Sequence, residues 1–322
     1  MEKVKTDEVF QAGNVAVITG ASSGIGRACS MMCAKHGMHV WMLDIDTKDL
    51  EVAVQLVQSK CIITTDDVPS KKQEIHSALV DVSKQEEVQG IAKTIFQKYE
   101  TIHFLMNNAG IGLGGGPLTT NMEEFQRVMN VNLYGVIYGC QSFIPTMIEK
   151  GQPGIIVHTG SKQGITMPPG NLTYNVSKAA LKTFAEGLEH DLRSSSTGKK
   201  LQTALLIPGW TNTSIHLKEQ RERAMAKNET YDSQHAFFHE DKPAKGAWMP
   251  HQVINFMLEE LTLGRFYIVC PDNDVTRDVD NIRMTWTMQD ITSNRPPLSR
   301  WHPDYQHQFT TYLQQQQQQQ QK

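Results

Sequence analysis

Seven short apolar runs, rich in β-branched residues, recur along the chain. They are NVAVIT (14–19), HVWMLD (39–44), HSALV (76–80), IHFLM (102–106), GIIVHT (154–159), LQTALLI (201–207) and RFYIVC (265–270). Most are apolar at successive positions rather than alternating, which is how strands buried on both faces read. The stretches between them are long enough for crossover helices of 3.6-residue period. Crossovers of one hand then predict an α/β fold: a doubly wound, seven-stranded parallel sheet with ligands in the crevice at the carboxyl ends of its strands. No linker or repeat divides residues 1–270, which read as one domain.

Two regions fall outside this rhythm. CIITTDDVPSKKQEI, after the second helical stretch, is longer than the expected turn and reads as a surface excursion at 61–75. Residues 271–322 are polar, Pro-containing and aromatic, ending in eight glutamines at 314–321; they predict an irregular C-terminal tail with a disordered end.

Composition narrows the function classes. A formal net charge of -3 leaves no broad basic surface for a phosphate backbone, so nucleic acid is not an expected partner and small molecules are. No run approaches the length needed to cross a bilayer, and the mixed-charge start MEKVKTDEVFQ is no leader, so the expected location is cytoplasmic. Cys29, Cys33, Cys61, Cys140 and Cys270 are odd in number and lie in apolar surroundings, which reads as reduced, packed thiols.

The candidate chemistry begins directly after the first strand, at TGASSGIG (19–26). Gly20, Gly24 and Gly26 permit a tight turn, close approach of backbone to a pyrophosphate, and close packing of the following helix. That helix start, with Ser22, Ser23 and Ile25, would turn its amides and dipole toward the phosphates. At the end of the second strand, Asp44 could accept both hydroxyls of an adenosine ribose and repel a 2′-phosphate, which favours NAD over NADP. Further on, Tyr174 and Lys178 stand one helical turn apart and can share a face. A free phenol titrates near pH ~10, and a neighbouring ammonium favours its ionised form, so Tyr174 could exchange a proton with an alcohol or carbonyl oxygen.

The spacing G-x-x-x-G-x-G, with NNAG at 107–110 and Tyr-x-x-x-Lys at 174–178, resembles the short-chain dehydrogenase/reductase family in its shorter branch, over about residues 10–270. The resemblance implies a Rossmann-type domain and hydride transfer between a nicotinamide cofactor and a secondary alcohol or ketone. It implies a catalytic set of Asn132, Ser161, Tyr174 and Lys178. Ser161 would hydrogen-bond the substrate oxygen, and the helix backbone at Asn132 would hold a water completing a proton path through Lys178, which also grips the nicotinamide ribose. Asp81 and Val82 match the pair that holds the adenine, and Asn108 matches a contact to the adenosine half. PGWTNT (208–213) resembles the turn in which Pro208 and Gly209 pass the nicotinamide and Thr213 meets its carboxamide. His158 and Gly160 depart from the pattern, where the family commonly has asparagine and serine. Family members usually pair through the helices bearing Asn132 and Tyr174, implying a homodimer or homotetramer.

A substrate lid is expected at about 214–245, over a pocket including Leu113, Gln163, Met167, Trp210 and Ile215. That lining is mainly apolar, pointing to a lipid-like, steroid-like or aromatic alcohol. His235 and His239, with Glu240 and Asp241 nearby, have helical spacing but no second cluster, and read as lid rather than metal ligands. Another reading is a sensor or scaffold that binds NAD without turnover, since a fold does not fix a function. An epimerase or dehydratase of the family's longer branch fits the length but not the glycine spacing.

Overall fold

The computed structural model describes residues 4–61, 72–112, 114–215 and 245–320. The body of the excursion after Cys61, Leu113, most of the predicted lid, and His235 and His239 lie outside these described residues.

Seven parallel strands form one sheet in the order β3-β2-β1-β4-β5-β6-β7. They are β1 Val15–Thr19, β2 His39–Asp44, β3 Ile75–Leu79, β4 Phe104–Asn107, β5 Gly154–Thr159, β6 Leu201–Ile207 and β7 Tyr267–Val269. All seven apolar runs became strands, with ends shifted by a residue or two at β1, β3, β4 and β7. The order reverses between β1 and β4, the switch point where a doubly wound sheet opens a crevice. After the short α1 (Thr6–Val9) come α2 Gly24–Lys35, α3 Thr47–Gln58, α4 Gln85–Lys98, α5 Met122–Met129, α6 Gly135–Lys150, α7 Gln163–Thr166 and α8 Leu172–Ser194.

Because side chains alternate across a strand, each strand feeds two cores. Ala16, Ile18, Met42, Phe104 and Leu206 pack with Cys29 and Cys33 of α2 and with Val253 and Met257 of α9 (Pro250–Thr262) on one face. Val15, Val17, Leu43, Leu105 and Ile156 pack with Ile95 of α4, Phe143 of α6 and Leu181 of α8 on the other. All five cysteines are free, four of them buried. Among the described residues no helix is long and apolar enough to cross a membrane.

The C-terminal extension corrects the expectation of an irregular tail. It folds as α10 (Arg277–Thr292), a 3₁₀ turn (Ser299–Trp301) and α11 (Pro303–Gln320). Trp286 of α10 is buried, its Nε1 donates to Ser299 Oγ at 2.8 Å, and the Arg295 guanidinium stacks 3.7 Å from its ring. Phe309 and Tyr312 of α11 pack on the same indole. Asp290 accepts from Ser299 Oγ and Arg295 Nε, tying the turn back to α10. A cluster of three aromatics and a polar knot do here what an apolar stripe does elsewhere, so hydrophobic periodicity shows little of it. Helix nucleation is the costly step; once packed aromatics have supplied it, glutamine propagates a helix nearly as well as lysine or glutamate. That carries α11 into the glutamine tract, which was expected to be disordered. Trp286→Ala should cost the docking of α10 on α11 about 3–5 kcal/mol, seen as lost helical signal and faster tryptic cleavage after Arg300.

Candidate active site

The carboxyl ends of β1, β2, β4, β5 and β6 open into a single crevice of about 1190 Å³. One drug-sized ligand needs roughly 300–1,000 Å³. The crevice therefore has room for a dinucleotide and a second molecule beside it.

One end is built by the loop between β1 and α2. Gly20 adopts φ +64°, and a Cβ there would meet the Ala109 backbone at 2.8 Å. A Cβ on Gly26 would stand 2.2 Å from Gly20 O, so the first turn of α2 packs directly under the loop. Ser23 is the N-cap, in extended conformation and without a side-chain cap bond, which leaves first-turn N–H groups for an anion. Gly20, Ser23, Gly24 and Ile25 line the crevice; Ser22 and Gly26 support it from behind.

Asp44 lines the same end and has a second role. Its Oδ2 accepts from Ser22 N at 2.9 Å and its Oδ1 from Ile45 N and Asp46 N, so it ties the end of β2 to the glycine loop. Lys48, in the first turn of α3, also lines this end. Asp81 and Val82 line the adjoining wall, and the Asp81 carboxylate accepts from Ser83 N and Oγ. Asn108 lines the crevice as well, but its side chain is committed to the scaffold. Its Nδ2 donates to Thr19 O and Gly20 O, and its Oδ1 accepts from Thr159 Oγ1. Asn108 thus locks β1, β4 and β5 together at the switch point.

At the other end Ser161, Tyr174 and Lys178 meet on one wall. Ser161 follows β5, and its Oγ accepts from Gln163 N at 3.2 Å. Lys178 Nζ lies 5.6 Å from the Tyr174 ring centroid and donates to Thr159 O at 2.7 Å. Only 4% of Lys178 is exposed, and burial lowers its ammonium from the usual 10.5 to about 8. Helix α8 is fixed in place on several sides. Asn175 Nδ2 donates to Pro168 O, Ser177 Oγ accepts from Asn132 Nδ2, and Gly164 of α7 leaves no room for a Cβ against the Lys178 backbone.

Asn132 does not line the crevice. It is fully buried in a π-helical stretch, Asn130–Tyr134, between α5 and α6. Its Oδ1 accepts from Ile111 N, and its Nδ2 donates to Ile111 O and Ser177 Oγ, clamping the loop after β4 to α8. His158 is buried beside Asn107, and burial pushes it down to about 4, so the imidazole is neutral. Pro208, Gly209 and Thr213 all line the crevice.

Of the predicted substrate pocket, Gln163, Trp210 and Ile215 are on the wall. Met167 is not: it sits in a left-handed turn at φ +46° with 37% exposure, while its neighbours Thr166 and Pro168 face the crevice. The wall also contains residues that sequence reasoning missed. These are Lys162, Asn171 and, from the C-terminal extension, Asp280, Arg283, Arg300 and Trp301. Their one signal in the sequence was a tryptophan and several arginines crowded into an otherwise polar tail.

The sequence profile of short chain dehydrogenases matches residues 14–224, more than half of the chain. The chain belongs to the short-chain dehydrogenase/reductase family. It is 32% identical over 180 residues to SadH of Mycobacterium tuberculosis, covering 56% of this chain and 61% of that protein. It is 31% identical over 222 residues to the 3-oxoacyl-[acyl-carrier-protein] reductase FabG of Thermotoga maritima, covering 67% and 82%. Among solved structures, a family member from Burkholderia phymatum in complex with NAD superposes at TM-score 0.73 with 28% identity, covering 92% of this chain and 98% of that one. A coverage of 92% of this chain reaches beyond residues 14–224.

Proposed function

We propose that this short-chain dehydrogenase is an NAD-dependent oxidoreductase that moves a hydride between nicotinamide and a secondary alcohol or its ketone. The observation that carries this reading is the meeting of Ser161, Tyr174 and Lys178 on one wall of a crevice whose far end is a glycine loop capped by Asp44. The residues present suit a dinucleotide: a Cβ-free cradle at Gly20 and Gly26, open amides at the start of α2, and a carboxylate at the ribose position. Bound there, the cofactor supplies the hydride acceptor or donor.

The chain's own residues do the rest. Ser161 Oγ–H hydrogen-bonds the substrate oxygen and stabilises the charge that builds on it. Tyr174 Oη takes the hydroxyl proton in oxidation and returns it in reduction. The Lys178 ammonium favours the ionised phenol and holds ribose hydroxyls. Asn132 holds α8 against the loop after β4, so the phenol and the ammonium keep their relation. Trp210 and Ile215 give the substrate an apolar surface, which supports an alcohol with a hydrophobic body. Exposed Tyr134 and Val176, near Asn132 and Tyr174, support pairing of two copies.

Absorbance at the reduced-nicotinamide band, with NAD or NADP and a panel of secondary alcohols, tests this directly. A rise with NAD and one class of alcohol is expected; silence across the panel with NAD bound would leave the sensor reading. Asp44→Asn removes the charge but keeps an acceptor. It should narrow the NAD-over-NADP ratio in kcat/KM about ten- to a hundredfold, since a 2′-phosphate then meets no carboxylate and has Lys48 within the same end. An unchanged ratio would assign Asp44 to loop structure alone.

A further inference from the structure

The C-terminal extension brings two cations to the crevice that the chemistry above does not use. Helix α10 contributes Arg283, and the 3₁₀ turn contributes Arg300 and Trp301. Trp301 Nε1 donates to Thr166 O at 3.0 Å, anchoring the turn on α7, which begins two residues after Ser161. The arginines therefore belong to the end of the crevice that holds the catalytic serine. Asp44 and the glycine loop stand at β2 and β1, across the switch point, so the cofactor's phosphates lie elsewhere.

The charges on this wall are unequally matched. Lys162, next to Ser161, pairs with Asp280 and with Asp272 at 3.4 Å. Asp272 also accepts from Trp210 N and Val275 N. Among the described residues neither Arg283 nor Arg300 forms an ion pair, and Arg283 Nε is buried with no hydrogen-bond partner. Burial and the charge of Arg283 lower Arg300 to about 10, with Asp280 opposing them. The Arg300 guanidinium stacks 4.3 Å from the Trp301 ring and 5.3 Å from that of Phe309. Stacking occupies the face of a guanidinium and leaves its in-plane N–H groups to bond an oxyanion. A buried, unpaired donor is costly in a native fold and points to a missing acceptor.

We propose that Arg283 and Arg300 form an anion subsite that receives a carboxylate or phosphate carried by the substrate beyond its reacting carbon. This inference rests on the hydride-transfer reading and deepens it. The substrate is then amphipathic: an apolar body lies along Trp210 and Ile215, and an oxyanion is held by the fork of two guanidiniums. It also gives the extension a reason to fold back over the crevice, since α10 and the turn supply both guanidiniums of the wall.

Calorimetric titration of the full-length protein saturated with NAD tests the subsite, with octanoate, octyl phosphate and neutral octanol as probes. At least one anion should bind about tenfold or more tighter than octanol, and the tighter of the two identifies the oxyanion. Arg283→Met and Arg300→Met should each weaken that anion about ten- to a hundredfold, the usual worth of a hydrogen bond to a charged group. Arg283→Lys and Arg300→Lys, which keep the charge but not the fork, should lose less. Equal binding of anions and octanol, or anion binding that survives both methionine changes, would overturn the subsite. So would a parallel loss of octanol, because the variants would then have collapsed the wall. Turnover of a hydroxy acid with NAD is measured alongside. Arginine-dependent anion binding without turnover of any hydroxy acid would support the subsite and count against the oxidoreductase reading.

Discussion

Tyr174→Phe should lower kcat/KM for the alcohol roughly 10³-fold, within the span that a positioned proton donor or acceptor commands. The change removes one oxygen and leaves the ring, which stands 5.6 Å from Lys178 Nζ on a helix fixed by Asn175 and Ser177. The loss should fall on kcat, because the phenol acts on a proton that moves only in the reacting complex. NAD affinity should change little, since the glycine loop and Asp44 are built from β1 and β2. Stopped-flow measurement of the reduced-nicotinamide signal separates these terms. Turnover near that of the unmodified protein would remove Tyr174 from the mechanism and the hydride-transfer reading with it.

What the sequence showed and what it hid divide along physical lines. Most strands were legible because a parallel sheet buried on both faces forces near-continuous apolar runs, as at β1, β2, β4 and β5, whereas the edge strand β3 carries His76 and Ser77 and is only partly buried. The glycine loop was legible because a backbone that approaches Gly20 O at Gly26 tolerates no side chain. Tyr174, Lys178 and Ser161 were legible as a set, since their positions follow from a helix period and a strand end. The double duties of Asn108 and Asp44 were hidden, because hydrogen bonds from Asn108 to Thr19 and Gly20 join residues far apart in the chain. Met167, expected on the pocket wall, is turned off it by a left-handed backbone, while Thr166 and Pro168 on either side line the crevice. The extension was misjudged most, for its helices are held by Trp286, Ser299 and Asp290 rather than by a periodic apolar stripe. That hidden packing is also what delivers Arg283 and Arg300 to the substrate end.

Lys178→Met is the sharper test, because it should move activity and stability in different directions. Losing the ammonium leaves Tyr174 with the proton affinity of an ordinary phenol and the ribose without its grip, so kcat/KM should fall by roughly 10²–10³. Stability follows the opposite logic. The folded protein holds this lysine near 8 and the unfolded chain near 10.5, with burial the cause, so between those values the unfolded chain binds the extra proton. Stability from this group therefore rises with pH from 8 to 10.5, and the full penalty, about 3 kcal/mol, is present below pH 8. Methionine removes the penalty and fills much of the same volume. Against that, Thr159 O loses its donor at 2.7 Å, which costs about 1–3 kcal/mol. At pH 7 the variant should be as stable as the unmodified protein or slightly more so, while catalytically crippled. Urea melts across pH 7 to 10 read the difference: the unmodified protein should gain on the variant as pH rises. A variant clearly less stable at pH 7 would mean that Lys178 holds the fold together. The buried ammonium would then be a structural group first, and its cost would not be one accepted for the sake of the phenol beside it.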